Sequence, residues 1–301
     1  MHRNESNDRG DRGDKTIAAG STSVFRGRAR AYVIESKNKL LIDSIYNLYV
    51  TFFQQHSAAE DAGAEFKMLV VAPKRRADNT YALHLEGALT PDRTRRAQVQ
   101  CTTLGNYINN QTGTMSNDRL LRMLDMLQNQ AQTLEGLNWS VPYYGLDDVL
   151  IINDTFFCFI NDDKLFAFDP DTRLMDVTRP ISRANAFYAP ELEDRLHALP
   201  YELDYRASFY SLGLLATFCA LLNWDLVSTV ASHETAANYA NDPEKADKAE
   251  KAEKADKNHH WHTYSESDLV AMLDPIKYSK LYWFVLRCCR TDASRRLRVF
   301  V

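Results

Sequence analysis

The sequence of 301 residues contains no apolar run long enough for a membrane helix, which needs about 20 residues. Its first residues are polar, so neither a secretory leader nor a membrane anchor is expected. No G-x-G-x-x-G occurs. The glycines nearest the first predicted strands, Gly20 and Gly27, stand apart, which excludes a standard glycine-rich phosphate loop. The 5 cysteines, Cys101, Cys158, Cys219, Cys288 and Cys289, are odd in number, lack metal-ligand spacing and lie mostly in apolar runs. They read as reduced core residues of an intracellular protein rather than a disulfide framework. Charge of one sign is also missing: 36 basic residues against 40 acidic ones give a net charge of −4. That is no electrostatic footprint for nucleic acid.

What is present centres on residues 208–222. Phe209, Tyr210, Leu212, Leu214, Leu215, Phe218, Cys219, Leu221 and Leu222 cover every side of a predicted helix. A helix apolar all round is buried in the middle of something large. Residues 1–22 are polar and nearly free of large apolar groups, which predicts a disordered tail. Its Arg9-Gly10-Asp11 and Arg12-Gly13-Asp14 read as solvated charge. Residues 25–35 predict one or two strands. Residues 40–53 predict an amphipathic helix striped by Leu41, Ile45, Leu48 and Phe52. Residues 66–72 and 80–89 predict a strand pair around a polar turn. Leu120, Met123, Leu124, Leu127 and Leu134 mark a second amphipathic helix, with Met123 and Met126 as core filler. Residues 245–257, KADKAEKAEKADK, form a low-complexity stretch inside an insertion at about 233–260. It has no apolar face with which to pack, so deletion of residues 241–257 is expected to leave the fold and its stability almost unchanged. His259, His260 and His262 beside it read as a polar loop rather than a metal site.

Ala189-Pro190-Glu191, followed by Ser211-Leu212-Gly213 opening the apolar helix, resembles the C-lobe of protein kinases, where an Ala-Pro-Glu ends the activation segment. The chain is similar in its general look to the divergent kinase-like proteins of large DNA viruses. The resemblance spans about residues 24–301 and is carried mainly from Leu120 onward. It implies an α+β, two-lobed fold with a shortened β-rich N-lobe at about 23–100 and a mainly helical C-lobe at about 101–301. It also implies that Arg296, after the turn at Thr291-Asp292, pairs with Glu191. Ser208 stands where such proteins carry an aspartate that holds the catalytic loop. Asp204, one turn earlier, is a candidate cap for the helix instead.

The same resemblance exposes what chemistry is missing. Phosphoryl transfer uses a phosphate-covering loop, a strand lysine paired with a helix glutamate, metal-holding acidic groups and a base. Here Glu35 falls where the lysine is sought, and the following helix offers Asp43 but no glutamate. Val141-Pro142-Tyr143 replaces His-Arg-Asp, so Tyr143 stands in the place of the base. A phenol with an ordinary pKa of about 10 does not serve as a carboxylate base at neutral pH. Asp148 falls on the metal-binding asparagine, and Asn161-Asp162-Asp163 falls where Asp-Phe-Gly belongs. Two readings stand for that triplet: a hairpin turn, which is the expectation, and a cation site shared by Asp148 and Asp162. The sequence therefore points to a catalytically inactive, kinase-like scaffold with protein partners and neither nucleic-acid nor membrane binding. The alternative is an atypical ATP-dependent protein kinase using Mg2+. If viral, the protein would act in the host-cell cytoplasm.

Overall fold

A computed structural model describes residues 15–27, 31–57, 68–88, 96–111, 113–180, 186–193, 199–226 and 264–299. The insertion at 233–260, the histidines at 259–262 and the Arg-Gly-Asp triplets lie outside the described residues. The fold is mixed α+β, with an antiparallel sheet near the N-terminus and helices later in the chain. Two compact units emerge, one of residues 1–112, 121–137 and 147–165, the other of 113–120, 138–146 and 166–301. The expected lobe division near residue 100 differs from this partition.

The first unit contains a five-stranded antiparallel sheet ordered β1-β2-β3-β5-β4. Its strands are Lys15–Ala19 (β1), Thr22–Arg26 (β2), Tyr32–Ser36 (β3), Met68–Arg75 (β4) and Tyr81–Gly87 (β5). The tail expected to be disordered to residue 22 is corrected here: β1 pairs with β2 through Ile17 and Val24, and the turn between them is anchored far along the chain. Composition does not reveal such an anchor. Pro73 sits in edge strand β4 beside a bulge, where its missing N–H breaks no ladder bond.

Helix α1, Lys39–Ser57, starts where the Asn38 side chain accepts from the amides of Leu40 and Leu41 at 3.0 and 3.3 Å. It buries Leu41, Ile45, Leu48 and Phe52, the stripe expected from their spacing, and packs on β3, β4 and β5. Cys101–Thr103 (β6) leads into Leu104–Asn109 (α2) and pairs with Val149–Ile152 (β9), which in turn pairs with Phe156–Phe159 (β10). Helix α3 is Asn117–Glu135, and its residues from Leu121 on belong to this unit. From it, Gln130 ties the unit together. Its amide donates to Ser44 Oγ and Phe159 O at 3.0 Å each and accepts from Phe159 N at 2.7 Å.

The second unit is organised around the apolar helix, Ala207–Leu221, designated α5 after a short helix α4 at Pro190–Glu193. Every α5 residue from Ala207 to Cys219 is buried. Trp139–Ser140 (β7), Tyr144–Gly145 (β8), Phe166–Ala167 (β11), Leu174–Val177 (β12), Ala186–Phe187 (β13) and Tyr201–Asp204 (β14) form three two-stranded ribbons, β7 with β11, β8 with β13 and β12 with β14. Of these, β8 and β13 pack on α5. Glu266–Met272 (α6) and Lys280–Cys288 (α7) follow, and α7 lies directly on α5. Gly213 permits that approach: a Cβ there would lie 2.5 Å from Cys289 Sγ.

Candidate functional site

The acidic positions singled out by the sequence lie in the first unit, at the end of the β9–β10 hairpin. A 3-10 turn, Asp162–Lys164, follows β10, and Asn161 caps it by accepting from Asp163 N. The Asn161 side chain also donates to Asp148 Oδ1 at 2.7 Å. Lys164 Nζ meets the other oxygen of Asp148 at 2.5 Å, and both side chains are largely buried. Burial pushes the Lys164 ammonium below the usual lysine range, although the Asp148 carboxylate pulls the opposite way.

Asp162 is buried and is held by backbone amides and hydroxyls. Its Oδ1 accepts from the amides of Ser21 and Thr22 at 2.8 and 3.1 Å. Its Oδ2 accepts from the hydroxyls of Ser21 and Ser36, each at 2.5 Å. Ser36 Oγ also accepts from Asn38 N at 2.9 Å, so the entry to α1 is tied to the same carboxylate.

A divalent cation needs carboxylate oxygens that are open to it. Asp148 faces an ammonium and an amide, and both oxygens of Asp162 already have two donors. These residues do not fit a Mg2+ site. Among the described residues, no group of three or more His, Cys, Asp or Glu side chains could hold a metal ion.

Glu35, at the position where a lysine was sought, lies buried in β3 and forms an ion pair with Arg76 at 2.6 Å. Asp43 of α1 pairs with Lys39 of its own first turn.

In the second unit, Tyr143 is buried, its ring tilted against Tyr188 with centroids 4.9 Å apart. The neighbouring Tyr144 amide donates to Ser211 Oγ at 2.7 Å. The hydroxyl of α5 that grips this loop is therefore at Ser211. Ser208, the position expected to have lost that role, bonds back to Tyr205 O within its own helix start. The capping role considered for Asp204 is also corrected. Its carboxylate is taken by the Arg206 amide and guanidinium, and α5 begins without a side-chain cap.

Ala189 is fully buried, Pro190 opens α4, and Glu191 meets Arg296 as expected. Arg296 Nη1 and Nη2 donate to the two oxygens of Glu191, the second at 2.8 Å. Nε donates to Arg290 O at 2.7 Å, and further bonds reach Arg206 O and Thr291 O at 3.4 and 3.1 Å. All five guanidinium hydrogens thus have acceptors. The Tyr210 ring lies 5.0 Å from the Arg296 guanidinium carbon.

Ser21, Ser36 and Lys164 carry no local signal that marks them as members of the acidic constellation. Ser21 and Ser36 contact Asp162 across separations of 141 and 126 residues, and no local pattern records such a contact. Burial raises the thiol pKa at all five cysteines, so none is an activated nucleophile. No helix among the described residues is long and apolar enough to cross a membrane. No protein-family model matches the chain, and no curated protein matches it in sequence.

Proposed function

We propose that this protein is a catalytically inactive, protein-kinase-like scaffold that acts by binding protein partners. The observation that carries the reading is the commitment of both acidic side chains: Asp148 to Lys164 and Asn161, Asp162 to Ser21, Thr22 and Ser36. Phosphoryl transfer relies on such carboxylates to hold the metal ions that neutralise developing charge. Two further positions point the same way. Tyr143 offers a buried phenol in place of a carboxylate base, and Glu35 offers an anion in place of a phosphate-binding lysine. Groups that act as a unit fail together, so loss of one already removes several orders of magnitude of rate.

The retained features are those that build a stable body. Arg296 with Glu191 and Ser211 with Tyr144 hold segments of the second unit in place without taking part in chemistry. An intracellular location fits the five free cysteines, four of which are buried.

The test is incubation of purified protein with labelled ATP, Mg2+ or Mn2+, and generic acceptors including the protein itself. No transfer above background is expected. Transfer that survives Tyr143→Ala but disappears in Asp148→Ala or Asp162→Ala would replace this reading with an atypical phosphotransferase.

A further inference from the structure

The turn joining β1 to β2 is built to lie against a carboxylate from a distant part of the chain. Gly20 has φ +59°, a left-handed conformation that glycine adopts without strain. A Cβ at Gly20 would sit 2.4 Å from Asn161 Oδ1, 2.9 Å from Asp162 Oδ1 and 2.9 Å from Asp163 Cγ. Only a residue without a side chain allows this approach. The next two residues then point both amides at Asp162, and Ser21 adds its hydroxyl. Burying an anion is costly unless donors replace its water. Here the donors come from the protein's own N-terminal hairpin and from Ser36.

We propose that the Gly20–Thr22 turn is a latch, an internal ligand that keeps cations off Asp162 and is released when negative charge is added at Ser21. The proposal rests on reading Asp162 as the degenerate metal position. The latch has a release point because Ser21 is exposed while its hydroxyl touches the carboxylate. An anionic group on that side chain would face Asp162 directly, and like charges so close repel and disrupt the contact. Release would leave β1 held only by its pairing with β2, since β1 is the sheet edge. Ser36 would keep its bond to Asn38 N, so the start of α1 would remain in place.

Hydrogen exchange read residue by residue tests the latch in full-length protein. In the wild type the Ser21 and Thr22 amides should exchange slowly, and millimolar Mn2+ should not change their rates. Ser21→Glu should speed exchange at Thr22 and along Lys15–Ala19 by roughly tenfold or more relative to Ser21→Gln, which matches it in size without the charge. Amides of α5 should be unaffected in both variants. Gly20→Ala is the second route to the same state, should Ser21→Glu fail to fold: it leaves every donor and the carboxylate intact and opens the turn by contact alone. Equal exchange in Ser21→Glu and Ser21→Gln would overturn the latch. So would protection in Gly20→Ala equal to wild type, or wild-type exchange accelerated by Mn2+, which would mean that a cation displaces the turn. These outcomes are independent of the functional reading. Label transfer by the wild type would refute inactivity without touching the latch, and failure of the latch would leave inactivity standing.

Discussion

Removing Arg296 should be among the most damaging single changes in the second unit. Its side chain is 0% exposed, and its guanidinium donates to Glu191 and to three backbone carbonyls, those of Arg290, Arg206 and Thr291. Arg296→Ala leaves those carbonyls and the Glu191 carboxylate without their donor and empties the space beside Tyr210. Breaking a buried, hydrogen-bonded ion pair from one side costs about 3–5 kcal/mol. Glu191 is less enclosed, at 23% side-chain exposure, so water can solvate it once Arg296 is gone. The opposite change, Glu191→Ala, strands a cation that water cannot reach, but it leaves the three carbonyl bonds in place. Arg296→Ala should therefore destabilise more than Glu191→Ala, because it removes four partners rather than one. The double variant should cost less than the sum, with a coupling of about 0.5–3 kcal/mol. Trp139, Trp224 and Trp283, the tryptophans among the described residues, fall in the second unit, so intrinsic fluorescence during urea unfolding reports on it. Strict additivity would refute the reasoning, since it would mean that the two side chains do not stabilise each other.

Three other outcomes follow from the packing. Leu215→Ala, in the part of α5 that is buried from Ala207 to Cys219, should cost about 2–5 kcal/mol in the same unfolding assay, and a loss below about 1 kcal/mol would make that helix peripheral. Gln130→Leu should destabilise the first unit by about 1–3 kcal/mol for each polar group of Phe159 left unsatisfied, read as faster amide exchange in β10. Burial, then the nearby Arg76 and Lys74, lower the pKa of His84. The folded state therefore binds fewer protons than the unfolded state just below the ordinary histidine pKa of about 6.5, and stability should fall as pH drops through that window toward the folded value. His84→Gln should flatten that part of the pH profile, and an unchanged profile would show that His84 titrates alike in both states.

The elements that local pattern could predict are those whose signal is periodic and strong. Leu41, Ile45, Leu48 and Phe52 announced α1, and the unbroken apolar surface of residues 208–222 announced a buried central helix. The pairing of Glu191 with Arg296 was expected from resemblance alone, since neither residue carries a local signal for the other. Legibility failed where contacts span the chain. β1 lies in a stretch that reads as a polar tail, because residues 1–22 are nearly free of large apolar groups. Its order comes from pairing with β2 and from a turn held by Asp162, 141 residues away from Ser21. The ribbon of β12 with β14 was missed for the same reason, its two strands being too short to register against turn-forming neighbours. Ser208 and Ser211 lie on the same helix, and spacing could not decide which hydroxyl receives the Tyr144 amide. At the acidic site, sequence names Asp148, Asn161 and Asp162 but not Lys164, Ser21, Thr22 or Ser36, and the bonds from those four decide what the carboxylates can do.

The most direct test of the central claim is the Mg2+ dependence of nucleotide binding, measured by titrating ATP into purified protein by calorimetry with and without the metal. With Asp148 and Asp162 committed to internal partners, the account predicts that Mg2+ leaves ATP affinity unchanged, whether that affinity is weak or undetectable. Binding strengthened about tenfold or more by Mg2+, worth about 1.4 kcal/mol, and lost in Asp162→Ala would contradict it.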